Sequence, residues 1–178
     1  GEPWLFHPLL VEGLRQARDL GFKTGVVTSA YGAQTPEDAE LWLQPLAEAG
    51  LRYLSVSNDL YHYGESAETP ATIAVAVAKE LGMDTSPICI EPPTVSAPTS
   101  AQGEPVVGGG AMFRGRAADK LTEGLPRRPW ESLDTCPYED LRTPDRVHVD
   151  PQGHVHLCQG LSMGNLWETP LSEMTAAY

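Results

Sequence analysis

Apolar and polar positions repeat one plan along the first half of the chain: a short β-rich run, a turn and a helix. Helices are expected at about 8–20, 36–49 and 70–81, where apolar residues recur every three or four positions and a glycine follows. Thr35-Pro36 and Thr69-Pro70 are typical helix starts, because threonine accepts a backbone N–H and proline suits the first turn. Pro45 is expected to kink or split the second helix.

Strands are predicted at 23–28, 53–57 and 87–90, and a fourth at 106–113 leads into a short helix that ends near residue 121. Residues 94–104 lack periodicity and are expected to form an irregular loop. Strands that alternate with helices predict a parallel sheet, whose chemistry lies at the C-terminal strand ends. Those ends are Thr28-Ser29, Ser57-Asn58-Asp59 and Glu91.

The tail carries a different pattern, a short hairpin flanked by two cysteines. A three-residue loop, Pro151-Gln152-Gly153, with a left-handed glycine places the apolar residues on one face. That face carries Val147, Val149, Val155 and Leu157, and the other carries His148, His154, His156 and Cys158. Because a free cysteine normally behaves as a small buried hydrophobe, one on the polar face indicates a chemical role.

Composition narrows the class of protein. The chain has 178 residues and a net charge of -12, which is the wrong sign for binding a phosphate backbone and argues against nucleic acid as a partner. No apolar run is long enough for a membrane span and no secretory signal is recognisable, so a soluble cytoplasmic protein is expected. Three cysteines indicate a reducing compartment with metal or thiol chemistry, and Cys89 is expected in the core.

Several short motifs occur together in one order. They are Gly1-Glu2-Pro3 before a helix, Thr28-Ser29 and Ser57-Asn58-Asp59 at strand ends, Cys136 and Cys158 around the hairpin, and then Gly164-Asn165. Taken together they resemble the radical S-adenosylmethionine enzymes, and more narrowly the members with a SPASM or Twitch auxiliary cluster region. Each motif alone is weak, and the cysteine, glycine and cysteine of the tail are the most specific part.

The resemblance implies an α/β fold: a partial (β/α)6 TIM-like barrel of parallel strands at 1–125, and a β-hairpin plus helix auxiliary cluster region at 126–178. It implies that Glu2, with backbone groups of Gly1 and Pro3, holds the amino group of S-adenosylmethionine. Ser57 and Asp59 would lie near the ribose, and Arg116 would face the cofactor's carboxylate. Thr28-Ser29 stands where the family often has Thr-Asn-Gly.

The resemblance also implies that Cys136 and Cys158 are ligands of an auxiliary [4Fe-4S] cluster. The family's Cys-x-x-x-Cys-x-x-Cys loop, which holds the catalytic cluster, is absent from this sequence. We therefore interpret the chain as an inactive piece of an enzyme, with that loop upstream. The whole enzyme would cleave S-adenosylmethionine reductively, with electrons from a flavodoxin or ferredoxin, and the 5′-deoxyadenosyl radical would abstract hydrogen from a small-molecule or peptide substrate. Peptide modification and cofactor maturation are the expected reaction classes.

Other interpretations stay open at this point. Glu2 on its own suits a helix N-terminus, and the histidines suit an exposed polar strand face or a zinc site with the cysteines. The whole chain is also compatible with a non-catalytic barrel-like binding module that carries a small zinc or iron-sulfur site. An aldolase-like barrel is disfavoured because no lysine stands at a strand end. His62 is expected to form local hydrogen bonds, and Gly108 to Gly110 a turn.

Overall fold

The computed structural model describes residues 2–96, 106–127, 129–132, 140–158 and 161–177. Gly1 and Cys136 lie outside these described residues. The chain divides into two compact units, Gly1–Pro126 and Arg127–Tyr178. Among the helices of the described ranges, none combines the length and the apolar character that crossing a bilayer requires.

Three parallel strands and the helices between them organise the first unit. In chain order the elements are a 3-10 helix (Pro3–Phe6), α1 (His7–Asp19), β1 (Gly25–Thr28), α2 (Pro36–Ala49), β2 (Tyr53–Ser57), α3 (Leu60–Tyr63), α4 (Pro70–Glu80) and β3 (Asp84–Ile88). The strands lie in the order β1-β2-β3, and both pairings are parallel. The predicted alternation of strand and helix is confirmed, although α3 was not predicted and β3 begins three residues before the expected start.

Helix starts follow from residues close in the sequence. Thr35 Oγ1 accepts the Asp38 N–H at 3.1 Å, and Asp38 Oδ2 accepts the Thr35 N–H at 3.2 Å, which forms a reciprocal cap for α2. Thr69 and Thr72 cap α4 in the same way. Pro45 does not split α2: the residue four positions earlier, Leu41, lies on the exposed side of the helix, where its carbonyl can be solvated.

The parallel sheet is covered on one face only. Val26, Leu54 and Val56 point into a core formed with the helices, and all three are buried. The opposite face is open, and on it Ser55 and Ser86 face each other with hydroxyl oxygens 2.7 Å apart. Strand β1 is therefore buried on one side only, because Val27 lies on the open face and is 57 % exposed.

After β3 the parallel pattern stops. Strands β4 (Thr94–Ser96) and β5 (Val106–Gly108) pair antiparallel. The predicted fourth strand is thus present at 106–108, but it does not join the parallel sheet. The irregular loop expected at 94–104 is wrong for 94–96, which form a strand, and its remaining residues lie outside the described ranges. Cys89 is exposed rather than in the core, because β3 ends at Ile88. Helix α5 (Arg116–Lys120) follows as predicted. The described residues form a three-stranded parallel sheet and two small antiparallel sheets, and no closed barrel is present among them.

The second unit is built on an antiparallel sheet. Its elements are a 3-10 helix (Trp130–Ser132), β6 (His148–Val149), β7 (His154–Cys158), β8 (Leu161–Asn165) and α6 (Leu171–Ala176). Val149 pairs with Val155, and the Asp150 N–H donates to the His154 carbonyl at 3.0 Å, which leaves a three-residue loop closed by Gly153 at φ +86°. The predicted hairpin register is confirmed.

A matched pair of leucines on α2 tests the packing of the first unit. Leu43 is fully buried and Leu41 is 74 % exposed. We expect Leu43→Ala to lower the free energy of unfolding by about 2–5 kcal/mol, because it leaves a cavity in a packed core. Leu41→Ala should change it by less than about 0.5 kcal/mol. Urea unfolding measures both values, and equal losses would contradict the one-sided packing of α2.

Candidate functional site

The carboxylate of Glu2 lies at the C-terminal end of β1, where four hydrogen bonds converge on it. Oε1 accepts the Trp4 N–H at 3.1 Å and the Thr28 hydroxyl at 2.6 Å. Oε2 accepts the N–H of Ser29 at 2.9 Å and its hydroxyl at 2.7 Å. We call Glu2, Thr28 and Ser29 the strand-end carboxylate site. Three of the residues predicted to bind a cofactor are thus brought together.

Aromatic packing holds Glu2 in this position. Trp4 is buried and stacks on Trp42 of α2, with ring centroids 5.1 Å apart and planes 6° from parallel. Pro3 begins the 3-10 helix that carries Trp4, and Glu2 is its N-cap residue. The beginning of the described chain is therefore anchored in the core, and the neighbouring carboxylate has little freedom to leave β1.

The carboxylate is ionised at neutral pH. Partial burial acts to raise the pKa of Glu2, but the hydrogen bonds from Thr28, Ser29 and Trp4 outweigh it and lower that pKa below its ordinary value of 4.5. A fixed, half-buried negative charge surrounded by hydroxyl groups is suited to binding a cation such as an ammonium group.

The chain makes a tight turn just after β1. Ala30 has a φ of +56°, in the left-handed region that favours glycine, and it is fully buried. Its N–H donates to Thr28 Oγ1 at 2.9 Å, so the Thr28 hydroxyl accepts from Ala30 while it donates to Glu2. Tyr63 donates its hydroxyl to the Ser29 carbonyl from the end of α3.

Asp59 serves a different role from the one expected. Its side chain is only 1 % exposed, and Oδ1 accepts the backbone N–H groups of Tyr61 and His62 at 3.0 and 3.2 Å. His62 Nδ1 lies 2.9 Å from the same oxygen, and the Ile90 N–H donates to Oδ2 at 3.4 Å. Burial acts to raise the pKa of Asp59, but His62 and the backbone donors lower it overall. Asp59 is the N-cap of α3, and His62 forms the expected local hydrogen bond.

Two other predicted residues take no part in the hydrogen bonds to Glu2 among the described residues. Ser57 is half-buried at the last position of β2, and Arg116 is exposed at the first position of α5. Neither donates to Glu2 in the described part of the chain. Sequence reasoning missed Tyr63 altogether, although Asp59 ahead of Leu60-Tyr61-His62-Tyr63 is a recognisable N-cap signal for a helical turn.

Cys158 lies on β7, on the face opposite Val155 and Leu157, as predicted. It is half-buried and free. The Asp150 carboxylate is hydrogen-bonded to two of the neighbouring histidines: Oδ2 is 3.2 Å from His154 Nδ1 and 3.4 Å from His156 Nε2. Within the described ranges, no three His, Cys, Asp or Glu side chains are arranged to hold a metal ion. The partner expected for Cys158, Cys136, is outside those ranges.

Gly164 and Asn165, expected in a turn, are the last two residues of β8, and Asn165 helps to hold the hairpin loop. Asn165 Nδ2 and Trp167 Nε1 both donate to the Gln152 carbonyl, at 3.1 and 2.9 Å. Asn165 Oδ1 accepts the Trp167 N–H at 2.9 Å. This glycine-asparagine motif thus holds the loop next to β7, the strand that carries Cys158.

Gly153→Ala tests this arrangement. An added Cβ would lie 2.5 Å from Trp167 Nε1 and would meet a φ of +86°, so we expect a loss of about 1–2 kcal/mol from backbone strain and displacement of the Trp167 indole. The shift of the Trp167 indole N–H resonance reports the displacement. Gly21→Ala is the control, because Gly21 has a φ of +85° but open space around it. An unmoved indole resonance in Gly153→Ala would contradict the contact.

The pH dependence of stability tests the strand-end carboxylate site. Because the pKa of Glu2 is lowered on folding, its contribution to stability is present above its ordinary value of 4.5 and is lost as the pH falls through the lowered pKa. We expect the stability difference between the wild type and Glu2→Gln to shrink over this range in urea unfolding. Glu40→Gln, on the exposed surface of α2, is the control. A difference that does not change with pH would contradict the hydrogen-bonded carboxylate.

The chain was compared with protein families, curated proteins and solved structures, and none of them matches it. Among the described residues, the strand-end carboxylate site brings an ionised carboxylate and two side-chain hydroxyl groups together at one strand end.

Proposed function

We propose that this chain is part of a radical S-adenosylmethionine enzyme with an auxiliary iron-sulfur region. The observation that carries the proposal is the strand-end carboxylate site: an ionised Glu2 held by Thr28 and Ser29 where β1 ends. In the family that the motifs resemble, the glutamate of Gly-Glu-Pro meets the cofactor's amino group. A low pKa and a half-buried position suit a carboxylate that must pair with an ammonium.

The donors around Glu2 differ in how easily an ammonium can replace them. The Ser29 hydroxyl can rotate away from Oε2 and accept a hydrogen bond, because a hydroxyl both donates and accepts. The Thr28 hydroxyl is less free, since it also accepts the Ala30 N–H. Ser29 is therefore the adjustable donor, and Thr28 keeps the carboxylate oriented.

The turn after β1 also supports the proposal. Thr28-Ser29-Ala30 stands where the family often has Thr-Asn-Gly, and Ala30 has a φ of +56°, which glycine adopts without steric cost. The backbone thus has the conformation that suits the motif even though the glycine is absent. At the next strand end, Ser57 is the accessible partner for a ribose hydroxyl, whereas Asp59 is buried in its cap.

The open face of the parallel sheet fits the inner wall of a partial (β/α)6 barrel. Its serines are polar and small, and the helices lie on the other face. In barrels of this kind the outer face of each strand is covered by helices, and chemistry is carried at the C-terminal ends of the strands. Glu2, Thr28 and Ser29 are at such an end.

We further propose that Cys158 and Cys136 bind an auxiliary cluster. Cys158 lies on the polar side of β7, and the loop ahead of it is held by Asn165 and Trp167. A [4Fe-4S] cluster is held by four thiolates as a rule, and the sequence contains three cysteines in all, of which Cys89 is in the other unit. Cys136 and Cys158 would supply two of these thiolates.

When bound, S-adenosylmethionine together with a reduced cluster supplies a 5′-deoxyadenosyl radical for hydrogen abstraction. This chain's residues would bind and orient the amino acid part of the cofactor, through the charge of Glu2 and the hydroxyl of Ser29. A flavodoxin or ferredoxin is the proposed electron donor, and a peptide or small molecule is the proposed substrate.

The test uses the protein produced from its whole reading frame, reconstituted anaerobically with iron and sulfide and reduced with dithionite. We expect a brown protein that releases 5′-deoxyadenosine from S-adenosylmethionine. Glu2→Gln should keep its iron but require a higher S-adenosylmethionine concentration for half-maximal release, because an ionic hydrogen bond is lost. Cys158→Ser should lower the iron content per chain.

One result would overturn the enzyme class, and another would overturn the role of Glu2. A colourless protein that takes up only zinc would favour the binding-module interpretation. Release of 5′-deoxyadenosine with the same cofactor requirement in Glu2→Gln would remove Glu2 from the site. Glu40→Gln is the matched control, since it removes a carboxylate of the same type from an exposed helix surface.

A further inference from the structure

We infer that Tyr63 is a positioning residue for Glu2: its hydroxyl holds the peptide between Ser29 and Ala30 in the orientation that keeps the Ala30 N–H on Thr28 Oγ1, so that the Thr28 hydroxyl donates to the carboxylate. The consequence for ligand binding rests on the proposed function, in which the ligand of Glu2 is an ammonium group. The contacts of Tyr63 that position Glu2 all lie within the first unit.

The peptide between Ser29 and Ala30 is held at both of its polar ends. Its carbonyl accepts the Tyr63 hydroxyl, and its N–H donates to Thr28 Oγ1 at 2.9 Å. Rotation of this peptide would break both bonds. The Thr28 hydroxyl that accepts this N–H donates its own hydrogen to Glu2 Oε1 at 2.6 Å. The orientation of the peptide therefore fixes the direction in which the Thr28 hydroxyl donates.

Backbone strain at Ala30 favours rotation of this peptide if its hydrogen bonds are lost. Ala30 has a φ of +56°, and an alanine there costs about 1–2 kcal/mol relative to ordinary backbone conformations. Such strain persists where surrounding contacts over-determine the conformation. Tyr63 supplies the contact on the carbonyl side, from a residue 34 positions along the chain.

The Asp59 cap fixes the position of Tyr63, because Asp59 caps the helix that ends at this tyrosine. Helix α3 has a single turn, which is too short to be stable in isolation. The buried Asp59 carboxylate accepts the N–H groups of Tyr61 and His62 and lies 2.9 Å from His62 Nδ1, so the turn is held at its start. Tyr63 is the last residue of this turn. The buried acid at the end of β2 thus acts on the end of β1 through α3.

Tyr63 stays protonated and keeps its role as a donor. Burial raises the pKa of Tyr63 above its ordinary value of 10.0, and the negative charge of Glu2 also raises it. The phenol therefore carries its hydrogen throughout the physiological range and can donate to the Ser29 carbonyl.

Tyr63→Phe removes only the donor and tests the inference with two measurements. On the chain described above, carboxyl NMR should show the Glu2 pKa rising toward its ordinary value of 4.5, because the Thr28 hydroxyl is no longer held in its direction toward the carboxylate. On the reconstituted whole-reading-frame protein, half-maximal 5′-deoxyadenosine release should need about fivefold more S-adenosylmethionine, as expected for one lost hydrogen bond. Tyr61→Phe, the same substitution on an exposed residue of α3, is the control for both measurements.

A second variant separates positioning from a general loss of structure. Ala30→Gly removes the steric cost of the left-handed conformation, so adding it to Tyr63→Phe should restore part of the low Glu2 pKa. An unchanged Glu2 pKa in Tyr63→Phe, or no recovery in the double variant, would overturn the inference. A raised Glu2 pKa without any change in the cofactor requirement would leave the positioning role standing and overturn the ammonium role of Glu2.

Discussion

The hydrogen-bonded carboxylate of Glu2 is the interaction on which the functional end of the first unit depends. It joins the beginning of the described chain to the end of β1 through donors from Trp4, Thr28 and Ser29. Because Trp4 is stacked on Trp42 in the core, this junction is anchored on both sides. A charged group would normally be costly in a partly buried position, and here the four donors offset that cost.

The one-sided sheet explains why the site lies where it does. Helices bury Val26, Leu54 and Val56 on one face, while the other face presents serine hydroxyls and the strand ends. An ionised carboxylate among hydroxyl groups at a strand end is suited to a small cationic or zwitterionic ligand. It is poorly suited to a polyanion, in agreement with the net charge of -12.

In the second unit, short-range bonds place Cys158 on the polar face. Asp150 accepts the N–H groups of Gln152 and His154 at 2.9 Å, which shapes the loop. Asn165 and Trp167 donate to the Gln152 carbonyl on the other side of that loop. The histidines next to Cys158 are engaged with Asp150, so the polar-face interpretation of these residues explains them better than a zinc site among the described residues does.

Sequence patterns predicted well where neighbouring residues supply the interactions. The caps at Thr35 and Thr69 join residues three positions apart, and the hairpin register follows from alternation around one glycine. Patterns did less well where distant pairing decides the outcome. The segment at 106 was expected to join the parallel sheet, but it pairs antiparallel with residues 94–96. Cys89 was expected in the core, but it is exposed because β3 ends at Ile88, one residue before it.

The sequence by itself determined the order of strands and helices, the helix starts and the face on which Cys158 lies, because these depend on contacts within a few positions. It also brought Glu2, Thr28 and Ser29 forward as candidates. Only the tertiary structure decided which of the polar groups remain available. The Asp59 carboxylate accepts hydrogen bonds within the cap of α3. Tyr63, which no motif singled out, donates to the Ser29 carbonyl, 34 positions away in the sequence. Such long-range hydrogen bonds leave no local periodicity, so the chain has to fold before they can be recognised.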